Sequence, residues 1–204
     1  MGLRLSLVMI SDANITRVHA DPPLTWLVIA PDEPELYADA RTPAKPSLLK
    51  RLFGGGELPP PEPMPAALAL TAPEGESTDL DKAWHGLHYL LTGSAWEGDP
   101  PLNFLLKGGT AIDIEVADAQ PRTFTSAETR VLQQALAGIT QDALLKRYVP
   151  ADLTKLEIYP DVIWERDEGT DADPRHYLLE YWKVLRDFID SAVKEQLGLI
   201  VFIS

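Results

Sequence analysis

The chain contains no cysteine. Disulfides, thiolate zinc sites, iron–sulfur clusters and cysteine nucleophiles are therefore excluded. Cations are also scarce: 18 Lys and Arg face 31 Asp and Glu in 204 residues, a net charge of −13 at pH 7. Direct binding to nucleic acid or to an anionic membrane needs clustered Lys and Arg, so neither is an expected partner. No apolar run approaches the ~20 residues that span a bilayer. The alternating start Leu3-Arg4-Leu5-Ser6-Leu7 does not read as a secretory signal, and a cytoplasmic protein is the expectation.

The common catalytic signatures are missing as well. Gly54-Gly55-Gly56 runs into Glu57-Leu58-Pro59, without the Lys-Ser/Thr and helix of a phosphate loop. Gly108-Gly109 lacks the rest of a dinucleotide fingerprint, and there is no G-x-S-x-G elbow. No cofactor is implied. The carboxylates between Asp161 and Asp173 do not fall in the register of a calcium loop.

What is present is a globular pattern, 45% hydrophobic, long enough for a proper core. Leu3, Leu5, Leu7 and Met9 alternate as one face of a strand over residues 3–10. Ser11 or Asp12 caps a short helix carrying Ile15 and Val18. The apolar run 24–30 is too short to decide between helix and strand. Residues 31–78 hold ten prolines and a glycine triplet, and read as a long loop or insertion.

Beyond it, Thr78-Asp79-Leu80-Asp81 resembles a capping box, opening a helix with Leu80, Trp84, Leu87, His88 and Leu91 on one stripe. Pro101 opens a short helix through Leu105, and residues 111–116 alternate as a half-exposed strand. Thr125 with Glu128 forms a second capping box, and Thr140 caps the next helix. Asp173-Pro174 starts a long amphipathic helix through Leu178, Tyr181, Trp182, Leu185, Phe188, Ile189 and Ala192. Leu199-Ile200-Val201-Phe202-Ile203 is continuously apolar, as a strand buried on both faces requires, and is expected to pair with the N-terminal strand. The reading is one α+β domain over 1–204: a small mixed sheet with both terminal strands, covered by at least four helices.

Two groups of residues bear on function. Asp81, His85 and His88 are spaced to share a helix face, which suits a divalent metal or general acid–base work. His88 nevertheless lies in line with Trp84, Leu87 and Leu91, as a core-edge histidine would. The second group is acidic: Asp161, Glu165, Asp167 and Glu168 surround Trp164. Carboxylates around an aromatic suit a basic protein partner, steered by charge and anchored by the ring; in the alternative reading Tyr159 and Trp164 point inward and the carboxylates only keep the protein soluble.

The segment Leu80-Asp81-Lys82-Ala83-Trp84-His85-Gly86-Leu87-His88-Tyr89-Leu90-Leu91-Thr92-Gly93, with Glu157-Ile158-Tyr159-Pro160, resembles the YfbM-like family, a bacterial domain of unknown function. The two chain ends are similar to that family's, and residues 31–78 look like a variable insertion. The resemblance implies a single cytoplasmic α+β domain and supplies no catalytic residues. Small acidic members of the family look like immunity proteins. The functional expectation is therefore an acidic binding module that neutralises a cognate bacterial toxin, a nuclease being the natural electrostatic match. An enzyme built on Asp81, His85 and His88 is the alternative, and a housekeeping scaffold a third.

Overall fold

The computed structural model describes residues 2–41, 74–166 and 173–204. Its framework is a five-stranded antiparallel sheet in the order β2-β1-β5-β4-β3. The strands are β1 (Leu5–Ile10), β2 (Ser77–Asp79), β3 (Thr110–Ala111), β4 (Arg122–Phe124) and β5 (Gly198–Ile203). The two terminal strands pair along their full length, from Leu5 opposite Ile203 to Ile10 opposite Gly198. All ladders among the described residues are antiparallel, where a mixed sheet was expected.

Eight α-helices surround this sheet among the described residues: α1 (Asp12–Ala20), α2 (Thr25–Ile29), α3 (Pro34–Arg41), α4 (Ala83–Thr92), α5 (Ser126–Ala137), α6 (Gln141–Leu145), α7 (Pro150–Lys155) and α8 (Pro174–Lys194). Side chains alternate across a strand, so the central pair serves two cores. Leu5, Leu7, Met9, Leu199 and Val201 face the larger one, with α4, α5 and α8. Val8, Ile10 and Ile200 face a smaller one built on Ile15, Val18, Leu24, Val28 and Tyr37. This explains why β5 has no polar alternation: both of its faces are covered.

In α8 the residues Leu178, Trp182, Leu185, Ile189 and Ala192 are buried at intervals of four and three, one continuous stripe against α4 and α5. Asp173 caps this helix by accepting from the Arg175 N–H. The Thr125–Glu128 capping box closes in both directions, and Thr140 accepts from the Ala143 N–H. Long-range caps tie the layers together. Asp12 accepts from the Ser126 N–H at 2.8 Å, and Glu74 accepts from the Ser11 N–H at 2.9 Å and the Asn14 side chain at 2.5 Å.

Four local expectations are corrected. Residues 34–41 form α3 rather than loop, because Pro34 occupies the first helical position, where its missing N–H is not needed. Residues 42–73 of the expected insertion, with Gly54 to Gly56 and the Pro59 to Pro65 stretch, lie outside the described residues. Thr78 is not a helix cap: Ser77–Asp79 pairs with the edge of β1, and α4 starts only at Ala83. The stretch 101–105 makes turns instead of a helix. Arg122 donates to the carbonyls of Phe104, Leu105 and Lys107, at 3.0, 2.7 and 2.5 Å, and so holds oxygens that a longer helix would have used. Of residues 111–116 only Ala111 is in a strand. The rest bends through Ala117 and Asp118, both left-handed, and the Val116 N–H donates to the Ala119 carbonyl.

Candidate functional site

Helix α4 carries the histidines and is buried from Ala83 to Leu91. Gly93 ends it at φ 75°, a conformation that glycine adopts without a Cβ clash. The chain then folds back over the helix. His85 Nε2 lies 2.7 Å from the Ala95 carbonyl and His88 Nε2 lies 3.0 Å from the Glu97 carbonyl. The backbone N–H of Tyr159 donates to His85 Nδ1 at 2.9 Å.

These contacts fix the chemistry of His85. Nδ1 faces a donor, so it carries no proton. Nε2 faces a carbonyl, so it carries the hydrogen. The ring is a neutral bridge between two backbone segments, and neither nitrogen is left for a metal or a proton transfer. It stacks on Trp84 at 4.8 Å, with Trp96 tilted over it at 4.3 Å. Burial lowers the pKa of both histidines. For His88 desolvation dominates and takes the value down to about 4, with the charges of His85, Lys107 and Arg122 pushing the same way.

Asp81 does not join them. It precedes α4 in a left-handed conformation, φ 43°. Its carboxylate accepts from the Tyr177 hydroxyl at 2.9 Å and lies 3.6 Å from Arg4. Burial and this hydrogen bond push the Tyr177 phenol well above its ordinary range. The expectation that Asp81, His85 and His88 share one helix face is therefore corrected, because Asp81 is not on the helix. Among the described residues no group of three or more His, Asp and Glu is placed to hold a metal ion.

The second group is also rearranged. Trp164 is completely buried; its Nε1 donates to the Ile158 carbonyl at 2.6 Å, and its own carbonyl accepts from the Tyr148 hydroxyl at 2.7 Å. As a partner anchor it is corrected: the indole faces inward and fastens the surface turn to the core. Asp161 and Glu165 are exposed on that turn. Asp167 and Glu168 lie outside the described residues. The apolar side chains that do reach solvent here are Val162, 76% exposed, and Leu156, 40% exposed. Val162 belongs to the same acidic run but is not among the residues expected from the sequence to meet a partner. Its signal was position: it stands between Asp161 and Ile163 at the first turn after Pro160, two residues before the tryptophan that turns inward.

The structure thus defines an α+β protein with a sandwiched antiparallel sheet, buried histidines used as backbone ties, and an acidic surface turn carrying an exposed valine. The chain belongs to the DUF1877 family, described as a domain of unknown function, which its residues 1–202 match. Its fold is that of YfbM from Escherichia coli, a protein of unknown function. The two share 15% identity over 98% of this chain and 99% of that one, with a TM-score of 0.59. No curated protein sequence matches the chain. Among the described residues no helix is long and apolar enough to cross a membrane.

Proposed function

We propose that this chain is an acidic protein-binding module, an immunity protein that neutralises a cognate bacterial toxin. The observation that carries the reading is the turn Asp161-Val162 with Glu165. A valine 76% exposed sits beside two exposed carboxylates on a turn that the buried, hydrogen-bonded Trp164 fastens to the core. The chain's net charge of −13 supports it by favouring encounter with a basic surface. A nuclease toxin has such a surface, because its groove must attract phosphate. The histidines favour binding over catalysis, since His85 has both nitrogens engaged by backbone and the His88 Nε2 is held by a carbonyl.

The test compares the tagged full chain with an Asp161→Lys/Glu165→Lys variant as bait in the native host. A basic protein held stoichiometrically by the wild type at low salt, released at high salt and missed by the variant is the expected result. Co-expression should then relieve the toxicity of that protein. Equal capture by both baits would sink the interface. No stoichiometric partner for a folded bait would sink the binding reading itself.

A further inference from the structure

A cleft of about 540 Å³ opens at the C-terminal end of α4; no residue of the acidic turn lines it, and it is independent of the reading above. Its volume lies in the range of small-molecule sites. Its walls include Tyr89, Leu91, Leu102 and Val149, together with two opposite charges, Arg147 and Asp99.

Arg147 is held in place. Its Nη1 donates to the carbonyls of Leu90 at 2.9 Å and Leu91 at 2.7 Å, in the last turn of α4. These bonds orient the planar guanidinium and answer carbonyls that the helix end leaves unpaired. They use one of its three nitrogens. Nε and Nη2 form no hydrogen bond among the described residues, and a guanidinium fixed by one corner presents the remaining fork to a carboxylate. Asp99 lines the same cleft and forms no ion pair among the described residues, with Arg147 or with any other cation. The hydroxyl of Tyr89, a residue only 7% exposed, likewise bonds to no described protein group.

We propose that this cleft binds a small zwitterion of the amino-acid class with an apolar side chain. Its carboxylate lies on Arg147, its ammonium on Asp99, and its side chain against Leu102 and Val149. Opposite charges that share a cleft without pairing select for a ligand that carries both. A simple anion meets the repulsion of Asp99, and a simple cation that of Arg147. Leu91 is 1% exposed and belongs to the larger core, so the floor of the cleft is part of the packed fold.

The experiment is calorimetric titration of the full-length protein at neutral pH with three probes. Leucine carries both charges, N-acetylleucine lacks the ammonium and leucinamide lacks the carboxylate. The expected result is saturable binding of leucine, with each blocked probe roughly tenfold weaker or worse. Asp99→Asn, a surface change that leaves the fold intact, should weaken leucine by a similar factor and, by removing the repulsion of an anion, bind N-acetylleucine more tightly than the wild type does. Arg147→Lys should weaken leucine while sparing leucinamide. Should that variant unfold through loss of its helix cap, Asp99→Asn still decides. No heat with leucine up to about 10 mM, equal binding of all three probes, or indifference to Asp99→Asn would overturn the proposal.

Discussion

The imidazole of His85 accepts a hydrogen bond from the backbone N–H of Tyr159, 2.9 Å away and 74 residues on in the chain. On its other side it holds the Ala95 carbonyl at 2.7 Å. One ring thus joins α4, the loop that follows it and the start of the acidic turn. Replacing His85 by Ala leaves a buried donor and a buried acceptor unpaired and opens space beneath Trp96. The expected cost is roughly 2–4 kcal/mol. It should appear as a lower urea midpoint at unchanged slope. Zinc added to the wild type should leave that midpoint where it is. A variant as stable as the wild type would show that His85 is not a structural tie.

His88 makes the protein sensitive to acid. Its pKa is 6.5 in the unfolded chain and about 4 in the fold, where desolvation disfavours the charged ring. Between those values the unfolded state binds more protons than the folded one, so stability falls as pH falls. It is fully retained above pH 6.5, declines from there to about 4, and loses nothing further through this group below that. His85 acts in the same direction. A His88→Gln variant, whose side-chain amide can still donate to the Glu97 carbonyl, should show a shallower loss over the same window. Denaturant midpoints measured at several pH values check this, and a slope identical to the wild type's would show that His88 does not carry the effect.

The parts of the fold legible in the sequence are those where a local signal and the tertiary demand agree. The Thr125–Glu128 box, the Asp173 cap, the stripe of α8 and the apolar β5 all belong here. Legibility fails where a distant segment competes. Thr78 and Asp79 have the chemistry of a cap, but the open edge of β1 takes them into a ladder. The turns after Pro101 depend on Arg122, and the left-handed pair Ala117 and Asp118 breaks an otherwise regular alternation. At the site, the core-edge character of His88 could be read from its alignment with Leu87 and Leu91. The inward turn of Trp164 is one of two readings the acidic run allows; the Ile158 carbonyl and Tyr148, both supplied by the fold, decide it. Arg147 and Asp99 carry no motif; they are 48 positions apart and only the fold brings them to one cleft.

Gly86 marks a close contact between α4 and its neighbours. A Cβ at this position would lie 2.6 Å from the Cη2 of Trp164 and 2.8 Å from the Cδ2 of Leu178. Both neighbours are fully buried and cannot swing into solvent. In an exposed helix, Gly→Ala would stabilise by roughly 0.5–1 kcal/mol. Here overpacking reverses the sign, and Gly86→Ala should destabilise by about 1–3 kcal/mol. Thermal or urea unfolding checks the sign directly. A stabilised variant would mean that α4 and Trp164 are less tightly joined than these distances require.

Trp164 and its two exposed neighbours should separate stability from binding. Removing a fully buried indole, with its bond to the Ile158 carbonyl, leaves a large cavity under the acidic turn. Trp164→Ala is expected to cost about 3–5 kcal/mol. Asp161 and Glu165 face solvent and form no ion pair among the described residues, so reversing both should change stability by no more than about 0.5 kcal/mol. Reversal also removes repulsion in a chain of net charge −13, which favours the fold slightly. If the turn is the binding surface, the double reversal abolishes partner capture while the melting curve stays in place. Trp164→Phe keeps much of the aromatic volume but loses the Nε1 donor. It should lose part of the stability and retain capture under conditions where it is folded. Loss of capture by a folded Trp164→Phe with an unperturbed Asp161→Lys/Glu165→Lys would invert the assignment and place recognition in the shape of the turn instead of its charge.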